Sequence, residues 1–408
     1  MPSNPNRRYR AAAALSAVSL TVTGALAGAM TTSAEAGVDA AASTSSSTSA
    51  AAAKQKTSLT VLPPISQFGK KPAAAKKAKT VVTATFTPAK KGRPVSLYVK
   101  SGGWKKVATT KTTQFGIADF TIPTKKGATY KATAASYRGL PAITAKPAKN
   151  TWKSADFTDE FGGSALSAEW AQRQPFYNPA GLRNCAKGDP SASVVSGGTL
   201  RLSVLLDPAR TAEKCAAKKA DGSTLGSFAY RLNGHISTDG NHDFKFGVAA
   251  ARIKFQKEKG GHTSFWLQPT SYNPDATSAK TDGAEVDIIE WFGQGGRQSG
   301  LTSFIYEPTP KGPKKTGGFL KQQDRFLANK KDAWYKNYHV FSVEWTPKHY
   351  VFRIDSKVSA VITNGISHVP QYPILSLLSS DYELANAPGD AKSLPQHSYV
   401  DWMQIWEY

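Results

Sequence analysis

Cysteine is nearly missing from this chain: its 408 residues include only two, Cys185 and Cys215. A pair cannot build a disulfide-dense scaffold or a thiolate metal cluster. Acid is missing from one stretch. From Lys54 to Asn150, 20 Lys plus Arg face a single acid, Asp119, whereas residues 151–408 hold 29 basic against 26 acidic residues. Of the net charge of +23, +19 therefore belongs to that one segment. Beyond the first 36 residues no run is long and apolar enough to span a bilayer. Sustained 3.6-residue periodicity is absent after residue 152, which excludes a helical bundle. The seven histidines, His235, His242, His262, His339, His349, His368 and His397, offer no pair at ligand spacing on a helix, so catalytic zinc is not expected.

The N-terminus carries the three regions of a secretory signal. Arg7, Arg8 and Arg10 precede an apolar run from Ala11 to Met30, and Ala34-Glu35-Ala36 supplies small residues for cleavage. Residues 1–36 are read as a signal peptide, and the mature protein as secreted, extracellular and free of the membrane. The run is rich in Ala, Gly, Ser and Thr rather than Leu, which argues against an anchor. Arg7-Arg8 hints at twin-arginine export, with Sec as the default. Outside the cell Cys185 and Cys215 can pair.

Residues 37–57, nearly all Ala, Ser and Thr, lack the apolar surface needed to fold and read as a disordered tether. Short alternating runs follow, Val81 to Thr87, Val95 to Lys100, Lys105 to Lys111, Ile117 to Ile122 and Thr129 to Ser136, with Ser101-Gly102-Gly103 as a hairpin turn. They predict a small all-β sandwich over residues 58–140, with residues 141–151 as a linker. Its lysines are spread among Thr, Ala and Val, without a nucleic-acid motif. Nucleic acid is therefore not an expected partner; an anionic cell-wall polymer is, and a solvated positive surface is the plainer alternative.

The most informative segment is Ala284-Glu285-Val286-Asp287-Ile288-Ile289-Glu290-Trp291-Phe292-Gly293. Side chains alternate along a strand, so Glu285 and Asp287 share one face while Val286 and Ile288 take the other. Glu290 is out of phase. One extra residue, a β-bulge near Ile288 or Ile289, would bring all three acids to one face. Carboxylates so close cannot all ionise cheaply, and a proton is retained near neutral pH. Glycoside hydrolysis needs that combination of one ionised and one protonated carboxyl. The plainer alternative is the wet face of an antiparallel strand.

The spacing resembles the Glu-x-Asp-x-x-Glu signature of glycoside hydrolase family 16, in the bulged form of its laminarinase-like members. Flanking segments agree: Gly234 to Thr238, Phe244 to Gly247, Ala251 to Lys254, Phe265-Trp266-Leu267-Gln268-Pro269, Tyr338 to Pro347, and Val400 to Trp406. The resemblance covers about residues 152–408. It implies a concanavalin A-like jelly-roll β-sandwich with the acids on a concave face, Glu285 as nucleophile, Glu290 as acid/base and Asp287 as the residue assisting the nucleophile. Trp266 and Trp291 become sugar-stacking platforms, with core packing the alternative for each. There are departures. Leu301 to Tyr306 lacks the His often found there, and Ile374 to Glu383 differs from a Gly-rich stretch common in laminarinases. The preceding sandwich resembles bacterial immunoglobulin-like modules, through Thr87 to Leu97 and Gly103 to Val107.

The fold class expected is therefore all-β, in two unequal sandwiches, and the leading function a retaining endo-glycosidase on β-glucan, with β-1,3 linkages foremost. β-1,3-1,4-glucanase, a galactan-type hydrolase, a transglycosylase and a non-catalytic carbohydrate-binding protein are the alternatives. A monomer without cofactor is expected; oxygen-rich loops permit a structural calcium.

Overall fold

A computed structural model describes residues 54–408 except 180, 220, 272, 274, 296–299 and 388–389. The expected signal at 1–36 and residues 37–53 of the expected tether lie outside the described residues. Among the described residues no helix is long and apolar enough to cross a membrane.

The first unit is built from antiparallel strands in two sheets. Lys56–Ser66, Lys79–Thr87 and Ile117–Ile122 form one; Gly103–Lys111, Pro94–Ser101, Thr129–Ala134 and Ile143–Thr144 form the other, with Ala148–Lys149 also paired to Thr129–Ala134. Val82, Phe86, Leu97, Phe120 and Tyr130 fill the space between them. Two boundaries differ from expectation. The last residues of the expected tether, Lys56 and Thr57, start an 11-residue strand. The expected linker carries Ile143–Thr144 and Ala148–Lys149, which extend a sheet. Both are edge segments holding prolines nearby, where a missing N–H is tolerated, so their sequences do not read as strands.

The second unit is a sandwich of two large sheets joined where Arg231–Ser237 pairs with Thr199–Leu206. One sheet runs Lys314–Phe319, Leu301–Glu307, Glu285–Trp291, His262–Pro269, Gln371–Leu378, Arg231–Ser237; the other runs Thr199–Leu206, Gln396–Glu407, Gly247–Lys254, His339–Trp345, Tyr350–Ile354, Lys357–Ile362. Leu202, Ala251, Ile253, Phe341 and Ile405 of the second meet Phe265, Leu267, Val286, Ile289 and Leu375 of the first in a common core.

The strand Gly247–Lys254 is buried at almost every position. A strand buried on both faces needs a cover on each side. Ala249, Ala251 and Ile253 enter the core, while Val248, Ala250, Trp402 and Trp406 pack against Leu62, Ile65 and Val81 of the first unit. Polar contacts complete this seam. Arg252 pairs with Asp401 and donates to the carbonyls of Gln67, Gly69 and Lys71, at 2.8, 3.2 and 3.1 Å; Trp402 donates to Gln67 Oε1 at 2.6 Å. The first unit is thus fixed to the back of the second.

Candidate active site

The strand Glu285–Trp291 carries one residue more than its neighbours. Asp287 lies opposite Phe304 and Glu290 opposite Thr302, while on the other side Phe265 faces Ile289 and Trp266 faces Asp287. Ile288 is the extra residue, its carbonyl taken by the Ser303 hydroxyl at 2.9 Å. The bulge returns Glu290 to the face of Glu285 and Asp287 while Val286, Ile288 and Ile289 stay in the core.

The three acids have distinct partners. Gln268 Nε2 donates to Glu285 Oε2 at 3.0 Å, and Ser264 Oγ donates to Glu290 Oε1 at 3.2 Å. Asp287 is buried and its Oδ2 has no partner among the described residues. Burial lifts the pKa of all three above the usual carboxylate range. Asp287 is lifted well above it, since Glu285 and Glu290 add their charge to its burial. Protonation of Asp287, which that rise favours, would remove one negative charge from the cluster. For Glu285 the bond from Gln268 acts against burial and favours the ionised form. For Glu290 burial is opposed by His262 and Lys315. Three carboxyl groups with different partners on one face are the kind of set that acid/base and nucleophilic work on one bond requires.

Trp266 lies on the same face as the acids, packed with Tyr372 and Ile374, its indole donating to Ser376 Oγ at 3.1 Å. Arg173 sits 5.7 Å from its ring centre and His235 6.1 Å. Trp291 is not in the cleft. Alternation resumes after the bulge, so the residue following Glu290 points inward: Trp291 is 3% exposed, stacks on Phe255 at 6.1 Å and donates to the Gln256 carbonyl at 2.7 Å. Gly300, at φ 116°, passes so close that a Cβ there would lie 2.1 Å from the indole. Its expected sugar-stacking role is withdrawn.

Several cleft residues escaped the sequence reading. Arg173 donates to Gln268 Oε1 at 2.8 Å and to Tyr372 at 3.0 Å. His262, from the strand before the acids, meets Glu383 at 2.8 Å. Of these only His262, a histidine opening a largely apolar strand, left a signal in the sequence; Arg173 and Glu383 left none. Cys185 and Cys215 are bonded, with Cα atoms 5.4 Å apart, and Asp381 accepts from the Cys185 and Lys218 amides at 3.1 and 3.0 Å. The bond thereby steadies the segment that carries Glu383. Among the described residues no three His, Cys, Asp or Glu side chains are grouped to hold a metal ion.

The family model "Glycosyl hydrolases family 16" matches residues 206–404, a span that includes the bulged strand and both its neighbours. Residues 206–404, just under half of the chain, are similar to the family 16 glycosyl hydrolases. The chain is a glycoside hydrolase. Solved structures similar to it include the laminarinase catalytic domain from Thermotoga maritima (16% identity, TM-score 0.46, 63% of this chain and 98% of that one). Others are the endo-β-1,3-glucanase from Pyrococcus furiosus (19%, 0.47, 63% and 94%) and the laminarinase from Rhodothermus marinus (15%, 0.48, 63% and 97%). No curated protein matches the chain.

Proposed function

We propose that this glycoside hydrolase is a retaining endo-glycosidase on β-glucan, with β-1,3-glucan as its first substrate. The observation that carries the reading is the bulge at Ile288, with which Glu285, Asp287 and Glu290 share one face of the sheet. Ionised Glu285 attacks the anomeric carbon as Glu290 gives its proton to the departing glycosidic oxygen. Water then cleaves the glycosyl-enzyme while Glu290 takes its proton. Neutral Asp287 relieves the repulsion that would otherwise keep Glu285 protonated. The β-1,3 preference rests on the resemblance of the bulged motif to laminarinase-like members.

Export by a signal at residues 1–36 and an extracellular, monomeric state belong to the same reading, as does an immunoglobulin-like identity for the N-terminal sandwich. Its positive charge suits an anionic cell-wall polymer.

Replacing Glu285 by Gln keeps shape but removes the nucleophile. Reducing-sugar release from laminarin should fall by at least about a thousandfold, in line with the loss of a nucleophile. Unchanged hydrolysis would end the assignment. A panel of laminarin, lichenan, agarose and carrageenan decides the substrate, and oligosaccharides rather than glucose should appear first.

A further inference from the structure

His262 and Glu383 form a buried pair that the acid triad alone does not require. Their side chains are 4% and 5% exposed, with His262 Nδ1 2.8 Å from Glu383 Oε1, and the opposite ring nitrogen, Nε2, 3.9 Å from Glu290 Oε1. The ring is stacked on Phe292 at 5.2 Å. Glu383 is fixed in turn, accepting from the Ser380 amide at 3.0 Å in a capping box. One ring nitrogen is thus anchored by a carboxylate and the other directed at the proposed acid/base.

We propose that His262, oriented by Glu383, is a positioning residue for Glu290, stabilising the carboxylate that appears when Glu290 gives up its proton. The inference rests on the reading of Glu290 as acid/base. The proton moves from Glu290 to the glycosidic oxygen; both ring protons of His262 stay where they are, and water later restores the one on Glu290. An imidazolium at 3.9 Å favours the anion without taking part in the transfer.

The surroundings allow this role. Burial works against charge on His262, yet Glu383 and Glu290 outweigh it and hold the imidazole above its ordinary value; Arg183 acts in the opposite sense. His235, the next histidine in the cleft, is pushed well below its ordinary value by burial and by Arg173, Arg183 and His262, so it stays neutral and does not compete. Facing Glu290 itself, Lys315 adds a second cation and Glu383 a more distant anion.

The test uses the full chain and pH profiles of kcat/KM on laminarin. Glu290 must be protonated to act, so its titration sets the alkaline limb. Glu383→Gln keeps the acceptor for Ser380 but neutralises the pair, and His262→Gln removes the cation. Each should move the alkaline limb up by about one pH unit, the low end for loss of one nearby charge. Each should also lower kcat about tenfold while leaving KM and the acid limb in place. The double variant should match either single one, because both act through one interaction. An unmoved alkaline limb in both variants, or effects that add, overturns the proposal. Glu290→Gln separates the two levels: if it retains full activity, the acid/base reading falls and this proposal with it. If it is inactive while the limb stays unmoved in the other variants, only the role of His262 falls.

Discussion

Gln268 donates its amide to Glu285 at 3.0 Å from an orientation that Arg173 and Tyr372 hold, since both donate to the oxygen of the same amide, at 2.8 and 3.1 Å. A flipped amide would turn its NH2 toward two donors and its oxygen toward a carboxylate. A hydrogen bond to a charged group contributes about 1.5–3 kcal/mol. Gln268→Leu should therefore lower kcat roughly ten- to a hundredfold. Because the bond favours ionised Glu285, its loss should shift the acid limb of the pH profile upward, with the alkaline limb unmoved. Arg173→Leu should act in the same direction, more weakly, by freeing the amide to turn.

Removing the first unit should unfold or aggregate the second. Residues 151–408 alone would expose Val248, Ala250, Trp402 and Trp406, an apolar patch on the back sheet. A milder variant reads the same seam. Asp401→Ala leaves Arg252 buried without its partner, a change that costs about 3–5 kcal/mol in buried pairs. Denaturant unfolding would register it, and a loss below about 1 kcal/mol would show the seam to be marginal.

Reduction of the Cys185–Cys215 bond, or replacement of both residues by Ser, should cost about 3–4 kcal/mol of stability, the scale for a loop whose ends are 30 residues apart. Activity should suffer as well. Asp381 is held by the Cys185 amide and by that of Lys218, three residues past Cys215, and Glu383 lies two residues on. Thermal unfolding and kcat measured on oxidised and reduced protein check the two effects separately.

Stability should decline in mild alkali. His339 is buried, which opposes its charge, but Asp355 at 2.6 Å and Asp332 raise its pKa to about 9. The folded value lies above the unfolded one, so the stabilisation is complete below about pH 6.5 and fades as pH rises through about 9. His339→Gln should lower Tm at pH 6 and flatten the dependence of Tm on pH between 7 and 9.

Alternation along single strands carried much of the reading from sequence. Ile117–Ile122 begins and ends where the pattern predicts, and the phase error at Glu290 called for one extra residue, found at Ile288. The resemblance, not this arithmetic, misjudged Trp291. Its type suggested sugar, yet the resumed alternation after Glu290 already pointed it inward. Lys56–Ser66 was missed because Pro63 and Pro64 interrupt its pattern, and its irregular register at those positions shows how the edge absorbs them.

Order along the chain set the strand assignments and brought two glutamates and an aspartate within one bulge of each other, since both depend on residues that are neighbours in sequence. Only the tertiary structure could bring Gln268 to Glu285, Glu383 to His262, and the loop from Gln67 to Ala73 to Arg252 and Asp401. Those partners are separated by 17, 121 and more than 180 positions along the chain, and no local periodicity encodes which strands become neighbours when two sheets close over one core.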